Sequence, residues 1–393
     1  NKTDIYSAEN RQIARDVAAE TFVLLKNEGN LLPLKKQGKI ALIGPLADTR
    51  NNIAGTWSVA QAPEKYTTIK EAMEKALDGK ATLLYAQGSN IWRDRELQKN
   101  GEQGKSIAWG DEVKMKNEAL QIAKEADVIV CAMGETADMS GECASRTNLE
   151  MPDVQQELLA ELAKMGKPVV LLNFAGRPTV LSWENEHIPA IMNVWFGGSE
   201  MGDALCDVIF GDKVPSGKLT TSMPKTTGQE PLYYNHQNTG RPVPDDNQKF
   251  AKFASNCLDV SNGPLYPFGY GLSYTTFEYG DLKLSSHQVN MDDWKITATI
   301  NVKNTGSRDA DEVVQLYIRD MVASISRPVK ELKGFQRIHL AAGESREISF
   351  DITPEMLKFY NAELKHVIEP GDFQIMVGGN SKEVKTQNLT VKN

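Results

Sequence analysis

The chain has 393 residues, 40% of them hydrophobic and 24% charged. At roughly 100–200 residues per domain that is material for two or three packed domains, and it excludes intrinsic disorder and collagen-like order. With 44 Lys and Arg against 52 Asp and Glu the formal net charge is -8, a sign that repels phosphate backbones and anionic lipids, so no nucleic acid and no membrane surface is expected as a partner.

The first ten residues are polar with no hydrophobic signal core, and no apolar run approaches the roughly 18 residues that span a bilayer. A start at Asn1 rather than Met is expected of a processed protein or an excised piece of one. From there to about Pro224 short apolar runs alternate with helical periods, the signature of βα units on a parallel sheet. The spacing predicts a first helix over 8–26, with Ile13, Val17 and Leu24 on one side that another surface must bury. Strands buried on both faces are predicted over 39–44, 81–85, 127–133, 168–174 and 190–196. Thr68 and Glu71 form a capping box ahead of Ile69, Ala72, Met73, Ala76 and Leu77, and Gly79 is placed to stop that helix. Pro152 suits a first helical turn before the stripe Leu158, Leu159 and Leu162; a further helix over 199–210 ends at Gly211, with Ser199 as its expected cap.

Residues 225–267 are rich in Pro, Asn, Gly and Tyr and hold no sustained period, so they read as a long connector, of the kind that wraps another domain or carries function. From about Phe277 the period becomes two: Ile296, Ala298, Ile300 and Val302 alternate with polar residues, as do Ile348, Phe350 and Ile352, then Phe373, Ile375 and Val377. Six or seven such runs, divided by turns such as Asn304-Thr305-Gly306 and Pro370-Gly371, predict an antiparallel sandwich. The domains are therefore expected at 1–224 and 277–393, with 225–276 between them.

Cys131, Cys143, Cys206 and Cys257 form no C-x-x-C pair, and the five histidines lie far apart, so neither a disulfide framework nor a metal site is expected. Gly211 to Leu219 approaches a phosphate loop, but five residues separate Gly211 from Gly217 and Leu219 stands where Ser or Thr must hold magnesium. Gly197-Gly198-Ser199-Glu200-Met201 starts like a nucleophile elbow and ends without its second glycine. After the first strand comes Gly44-Pro45-Leu46-Ala47, where proline withholds an N–H from any pyrophosphate. No nucleotide and no other cofactor is implied.

The loop after the strand over 127–133 survives this sifting. In an open parallel sheet ligands bind outside the carboxyl ends of strands, and here one such end carries Glu135, Asp138, Glu142 and Arg146. Crowded carboxylates raise one another's pKa, which would keep one protonated as a general acid. The competing reading is a solvated loop with Arg146 as a structural partner. Trp57, in Gly55-Thr56-Trp57, offers an aromatic face to a sugar ring or fills a domain interface; Trp92 and Trp109 flank a polar loop suited to an outer subsite, and Trp183 and Trp195 are expected in the core.

Longer motifs carry a resemblance. Ala14-Arg15 with Val23-Leu24-Leu25-Lys26-Asn27 and Leu31-Leu32-Pro33-Leu34, Pro215-Ser216-Gly217-Lys218-Leu219, Tyr266-Pro267-Phe268-Gly269-Tyr270-Gly271-Leu272-Ser273-Tyr274, and Arg327-Pro328-Val329-Lys330-Glu331-Leu332-Lys333-Gly334-Phe335 are similar to signatures of glycoside hydrolase family 3, across essentially the whole chain. The resemblance implies a mostly parallel-sheet α/β sandwich followed by a fibronectin type III-like β-sandwich, an α/β plus all-β fold. It also implies that the family's N-terminal (β/α)8 barrel, with its aspartate nucleophile, has no counterpart here.

Retaining glycoside hydrolysis needs two carboxyl groups about 5–5.5 Å apart, of which this chain would supply one. Ser140-Gly141-Glu142 matches the Ser-Gly-Glu that carries the acid/base glutamate in many family members, which favours Glu142; Glu135 and a barrel residue are the alternatives, because members differ in where this group comes from. The resemblance also makes Trp57 and Arg146 candidate substrate contacts. It implies an exo-acting β-glucosidase, probed as β-glucoside or another β-linked oligosaccharide, inactive without the barrel and periplasmic; a homodimer is left open. The rival reading is a self-sufficient carbohydrate-binding or adhesion protein.

Overall fold

Strand β1 (Val23–Asn27) opens a six-stranded sheet that continues with β2 (Lys39–Ile43), β3 (Thr82–Ala86), β4 (Val128–Gly134), β5 (Val169–Phe174) and β6 (Ala190–Asn193). The computed structural model describes residues 5–58, 61–101, 104–245, 252–291 and 294–393. Two compact units divide between Gly217 and Lys218.

In the first unit the strand order is β1-β6-β5-β4-β2-β3. β2 to β6 pair in parallel, Ile40 opposite Val128 and Ile129 opposite Val169, for example. The interior residues of β2, β4, β5 and β6 are nearly all buried, as strands covered on both faces by helices must be, while those of the edge strand β3 are half-buried. From β2 the chain first steps outward to β3, then returns to place β4 on the other side of β2. The order therefore reverses between β2 and β4, and the crevice at their carboxyl ends is where an open α/β sheet accommodates a ligand.

The helices are α1 (Ala8–Thr21), α2 (Ile69–Leu77), α3 (Arg95–Asn100), α4 (Glu112–Glu125), α5 (Asp153–Ala163), α6 (Ser182–His187) and α7 (Met201–Ile209). The Thr68–Glu71 capping box is present on α2 in both directions, and Leu158, Leu159 and Leu162 of α5 are buried. Three local expectations need correction. The first helix stops at Thr21 rather than running to residue 26: Phe22, Val23, Leu24 and Leu25 are buried all round, and that run pairs antiparallel with β6, Val23 opposite Asn193 and Leu24 opposite Met192. Burial on both faces of a sheet edge overrides helical periodicity there. Leu24 thus lies in the core, while Ile13 and Val17 are 56% and 55% exposed. Ser199 is not the cap of α7, since Glu200 holds that position with no side-chain cap bond. Trp183 and Trp195 are half-buried rather than core; Trp183 stacks on His187 one turn along α6, ring centroids 4.5 Å apart.

The second unit contains β7 (Phe277–Tyr279), β8 (Lys283–Leu284), β9 (Gln288–Asn290), β10 (Ile296–Asn304), β11 (Ala310–Asp320), β12 (Glu331–Leu340), β13 (Ser345–Ile352), β14 (Phe359–Tyr360), β15 (His366–Val367), β16 (Gly371–Gly378) and β17 (Val384–Lys392). One sheet runs β13-β10-β7 with β8 also on β10, the other β12-β11-β16-β17-β9, and β14 pairs with β15. The expected alternation is realised: Ile296, Ala298, Ile300 and Val302 meet Ile348, Phe350, Ile352, Phe373, Ile375 and Val377 in one core. Residues before β7 pack through side chains: Tyr234 stacks on Phe268 with centroids 4.1 Å apart, and the Gln229 amide donates to the carbonyls of Ser261, Asn262 and Gly263.

Candidate active site

Three loops leave the carboxyl ends of adjacent strands around the reversal of strand order. The loop after β2 carries Trp57, the loop after β4 carries Glu135, Asp138, Glu142 and Arg146, and the loop after β5 carries Gly176 and Arg177. They are fastened together. Ala137 N donates to Asn52 Oδ1 at 3.2 Å, tying the second loop to the first. Gln155 of α5 pins the start of the second loop, accepting from Gly134 N at 2.8 Å and donating to Gly134 O at 3.0 Å. Phe196, just past β6, wedges between the other two: a β-carbon on Gly55 or on Gly176 would come within 3.1 Å of its side chain.

The carboxylates do not crowd one another as the sequence suggested, because each has a different environment. Glu135 is buried, its side chain 1% exposed, with Arg146 Nη1 at 2.8 Å and Arg177 Nε at 3.2 Å from Oε1. Its Oε2 accepts from Gly176 N at 3.3 Å. Two guanidinium groups and a backbone donor surround this carboxyl, and removing one side of such a buried pair costs on the order of 3–5 kcal/mol. Asp138 Oδ2 accepts from Gly104 N at 2.7 Å. Glu142 stands apart: it is exposed, and among the described residues no hydrogen bond or ion pair holds its carboxyl.

Glu142 sits on a short arc built with two left-handed residues, Gly141 at φ 102° and Cys143 at φ 56°. A β-carbon at Gly141 would lie 2.2 Å from Thr56 Cγ2 and 3.5 Å from Trp57 Cε2, so only glycine lets the arc approach the first loop this closely. Trp57 is thereby brought beside Glu142's neighbour with its indole 72% exposed. Arg146 points inward instead: besides Glu135 it donates to Glu150 O at 2.9 Å and lies 5.3 Å from the centroid of the Trp92 ring. Trp92 is half-buried and lines a groove of about 470 Å³ with Leu97, Asp138 and Met139. Trp109 lies elsewhere, with Arg95 over its ring at 5.9 Å.

Sequence reasoning missed Arg177. Its Nη2 donates to Met139 O and, at 2.6 Å, to Ala144 O, so one guanidinium holds both ends of the arc that bears Glu142. The legible signal was a lone cation in Gly176-Arg177-Pro178 directly after a buried parallel strand. Among the described residues no cluster of three or more His, Cys, Asp or Glu is placed to hold a metal ion, and no helix is long and apolar enough to cross a membrane. The arrangement offers one uncommitted carboxyl, on an arc that packs against the loop bearing an exposed aromatic face. Such a carboxyl suits proton transfer to a bound sugar; attack on the sugar needs a second one.

Comparison with known proteins bears on the family of the chain. The Glycosyl hydrolase family 3 C-terminal domain matches residues 22–274, and a Fibronectin type III-like domain matches residues 312–381. A periplasmic beta-glucosidase of Salmonella typhimurium is 45% identical over 386 residues, covering 98% of this chain and 50% of that protein. A beta-xylosidase of Formosa agariphila is 37% identical over 393 residues, again covering 98% of this chain and 50% of the relative. The crystal structure of a beta-glucosidase from Listeria innocua in complex with glucose superposes with a TM-score of 0.88 at 35% identity, over 100% of this chain and 51% of that one. The chain thus spans about half the length of the curated relatives it matches. It belongs to glycoside hydrolase family 3, as the C-terminal domain of that family followed by a fibronectin type III-like domain.

Proposed function

We propose that the chain is the C-terminal portion of a retaining, exo-acting β-glucosidase that removes terminal β-D-glucosyl residues, and that Glu142 is its acid/base group. The observation that carries this reading is the packing of the arc that bears an unengaged Glu142 against the loop that bears the exposed Trp57 indole, at the reversal of strand order. In the first step the Glu142 carboxyl protonates the glycosidic oxygen as the C1–O bond breaks, while a carboxylate on the preceding half of the protein bonds to C1. In the second, the Glu142 carboxylate takes a proton from water as that water attacks C1 and the enzyme's carboxylate departs. Trp57 offers its face to the sugar, and Arg146 orients the loop through Glu135.

The exposed stripe of Ile13 and Val17 supports a further packed surface, supplied by an N-terminal barrel. The attacking carboxylate lies outside this chain in this reading, so the isolated chain is expected to be inactive. β-Glucosides lead as substrates, with β-xylosides next on the strength of the Formosa agariphila relative. A periplasmic location follows the Salmonella typhimurium relative.

Glu142→Gln in the full-length enzyme tests the assignment. Glucosides with poor leaving groups are expected to lose about 10²–10⁴-fold in kcat/KM, and dinitrophenyl glucoside far less. Equal activity on both kinds of substrate would remove Glu142 from the role. Titration of the isolated chain with glucosides by calorimetry distinguishes the binding-protein alternative, which requires measurable affinity.

A further inference from the structure

One side chain serves both ends of the arc that carries Glu142. Arg177 Nη2 donates to Met139 O on the way in and to Ala144 O at 2.6 Å on the way out. Arg177 Nε faces Glu135 Oε1 at 3.2 Å, and Gly176 N donates to Glu135 Oε2 at 3.3 Å. Glu135 in turn holds Arg146. Between the two clamped carbonyls lie Ser140, Gly141, Glu142 and Cys143, two of them in the left-handed region. The arc fits closely over its support: a β-carbon on Gly176 would fall 1.9 Å from Ser140 Oγ.

We propose that Arg177 is a positioning residue for proton transfer, fixing the Glu142 carboxyl by closing the base of its loop. The proposal rests on the reading of Glu142 as the acid/base group. Chemistry explains why arginine is needed. A planar guanidinium presents several donors in fixed directions, enough to meet Glu135 and two carbonyls together, whereas a lysine ammonium carries the charge at a single point. Without the clamp two carbonyls lose their donor, and the arc can relax while the sheet beneath it stays intact. A displacement of about 1 Å in a catalytic group is enough to lower a rate by about 10²-fold.

The test compares Arg177→Lys, Arg177→Met and Glu142→Gln in the full-length enzyme, using aryl β-glucosides from 2,4-dinitrophenyl to phenyl together with methyl β-glucoside. kcat/KM is the readout because it reports bond cleavage to the leaving group. Arg177→Lys keeps a cation beside Glu135 and so guards against a simple folding failure, checked by thermal denaturation. Expected is a loss of about 10–100-fold on methyl and phenyl glucosides and under about 3-fold on the dinitrophenyl substrate, a portion of the range that acid catalysis spans. Losses equal across all leaving groups, or no loss in Arg177→Lys and Arg177→Met alike, overturn the positioning role. If Glu142→Gln shows the leaving-group dependence and the Arg177 variants do not, only this inference falls. If Glu142→Gln itself lacks it, the acid/base reading falls and takes this inference with it.

Discussion

Gly141 lies against Trp57, with the position of its missing β-carbon 3.5 Å from Cε2 of the indole and 2.2 Å from Cγ2 of Thr56. The residue next to the candidate proton donor is therefore in contact with the candidate sugar platform. Whatever moves one moves the other.

Gly141→Ala should misplace the arc. The substitution meets Thr56 and imposes a left-handed backbone on an L side chain, which costs about 1–2 kcal/mol by itself. Activity on poor leaving groups is expected to fall by at least about 10-fold, from displacement of the neighbouring carboxyl. Adding Thr56→Ser removes the clashing methyl and should restore part of that loss. A double-mutant cycle measures it, and strictly additive effects would mean the two loops are not coupled.

Trp57→Ala separates binding from folding. The ring is largely in solvent, so unfolding free energy should change by no more than about 0.5 kcal/mol. KM for glucosides should rise several-fold, in line with about 0.5–1.5 kcal/mol for an aromatic face. Urea denaturation and initial rates on the same preparation decide the matter.

Glu135 and Glu142 should behave as opposites. Glu135→Ala leaves the half-buried Arg146 and Arg177 without their anion and is expected to cost about 3 kcal/mol. Glu142→Gln touches nothing that holds the fold and should leave the melting temperature in place. Calorimetric scans of the two variants check the contrast.

Glu184 in α6 gives the first unit a pH-dependent stability. Burial pushes its carboxyl from the ordinary 4.5 up to about 7, and the charge of Glu150 adds to the rise. The folded state therefore holds a proton that the unfolded chain has already released. Stability is greatest below about pH 4.5 as far as this group is concerned, declines as pH rises toward 7, and levels off above that. The full loss is on the order of 3 kcal/mol. Glu184→Gln should flatten that decline and stabilise the chain at pH 8, as followed by denaturant midpoints across the range.

The sheet was legible because its strands are short apolar runs buried on both faces, such as Val169–Phe174, and the sandwich because Ile296 to Val302 alternates so regularly. The end of α1 was not: Val23 and Leu24 continue the helix's apolar count, and only the presence of β6 beside them makes that segment a strand. The loop after β4 was found from its placement and composition, yet the division of labour within it was hidden. Glu135 and Glu142 are seven residues apart and chemically alike. What separates them is Arg177, whose partners Met139 and Ala144 are 38 and 33 residues away along the chain. A guanidinium that works through distant main-chain carbonyls shows in the sequence only as a lone cation after a buried strand, with no sign of its partners.

The aromatic platform and the carboxyl ride on loops from two neighbouring strands of one stiff sheet. Under the proposed roles, exchange of the exposed Trp57 side chain would reshape the surface offered to the sugar, whereas a change in the backbone of that loop would disturb the arc bearing Glu142 as well. A glycosidase built as proposed would change its aglycone preference through side chains on the first loop more readily than through that loop's backbone.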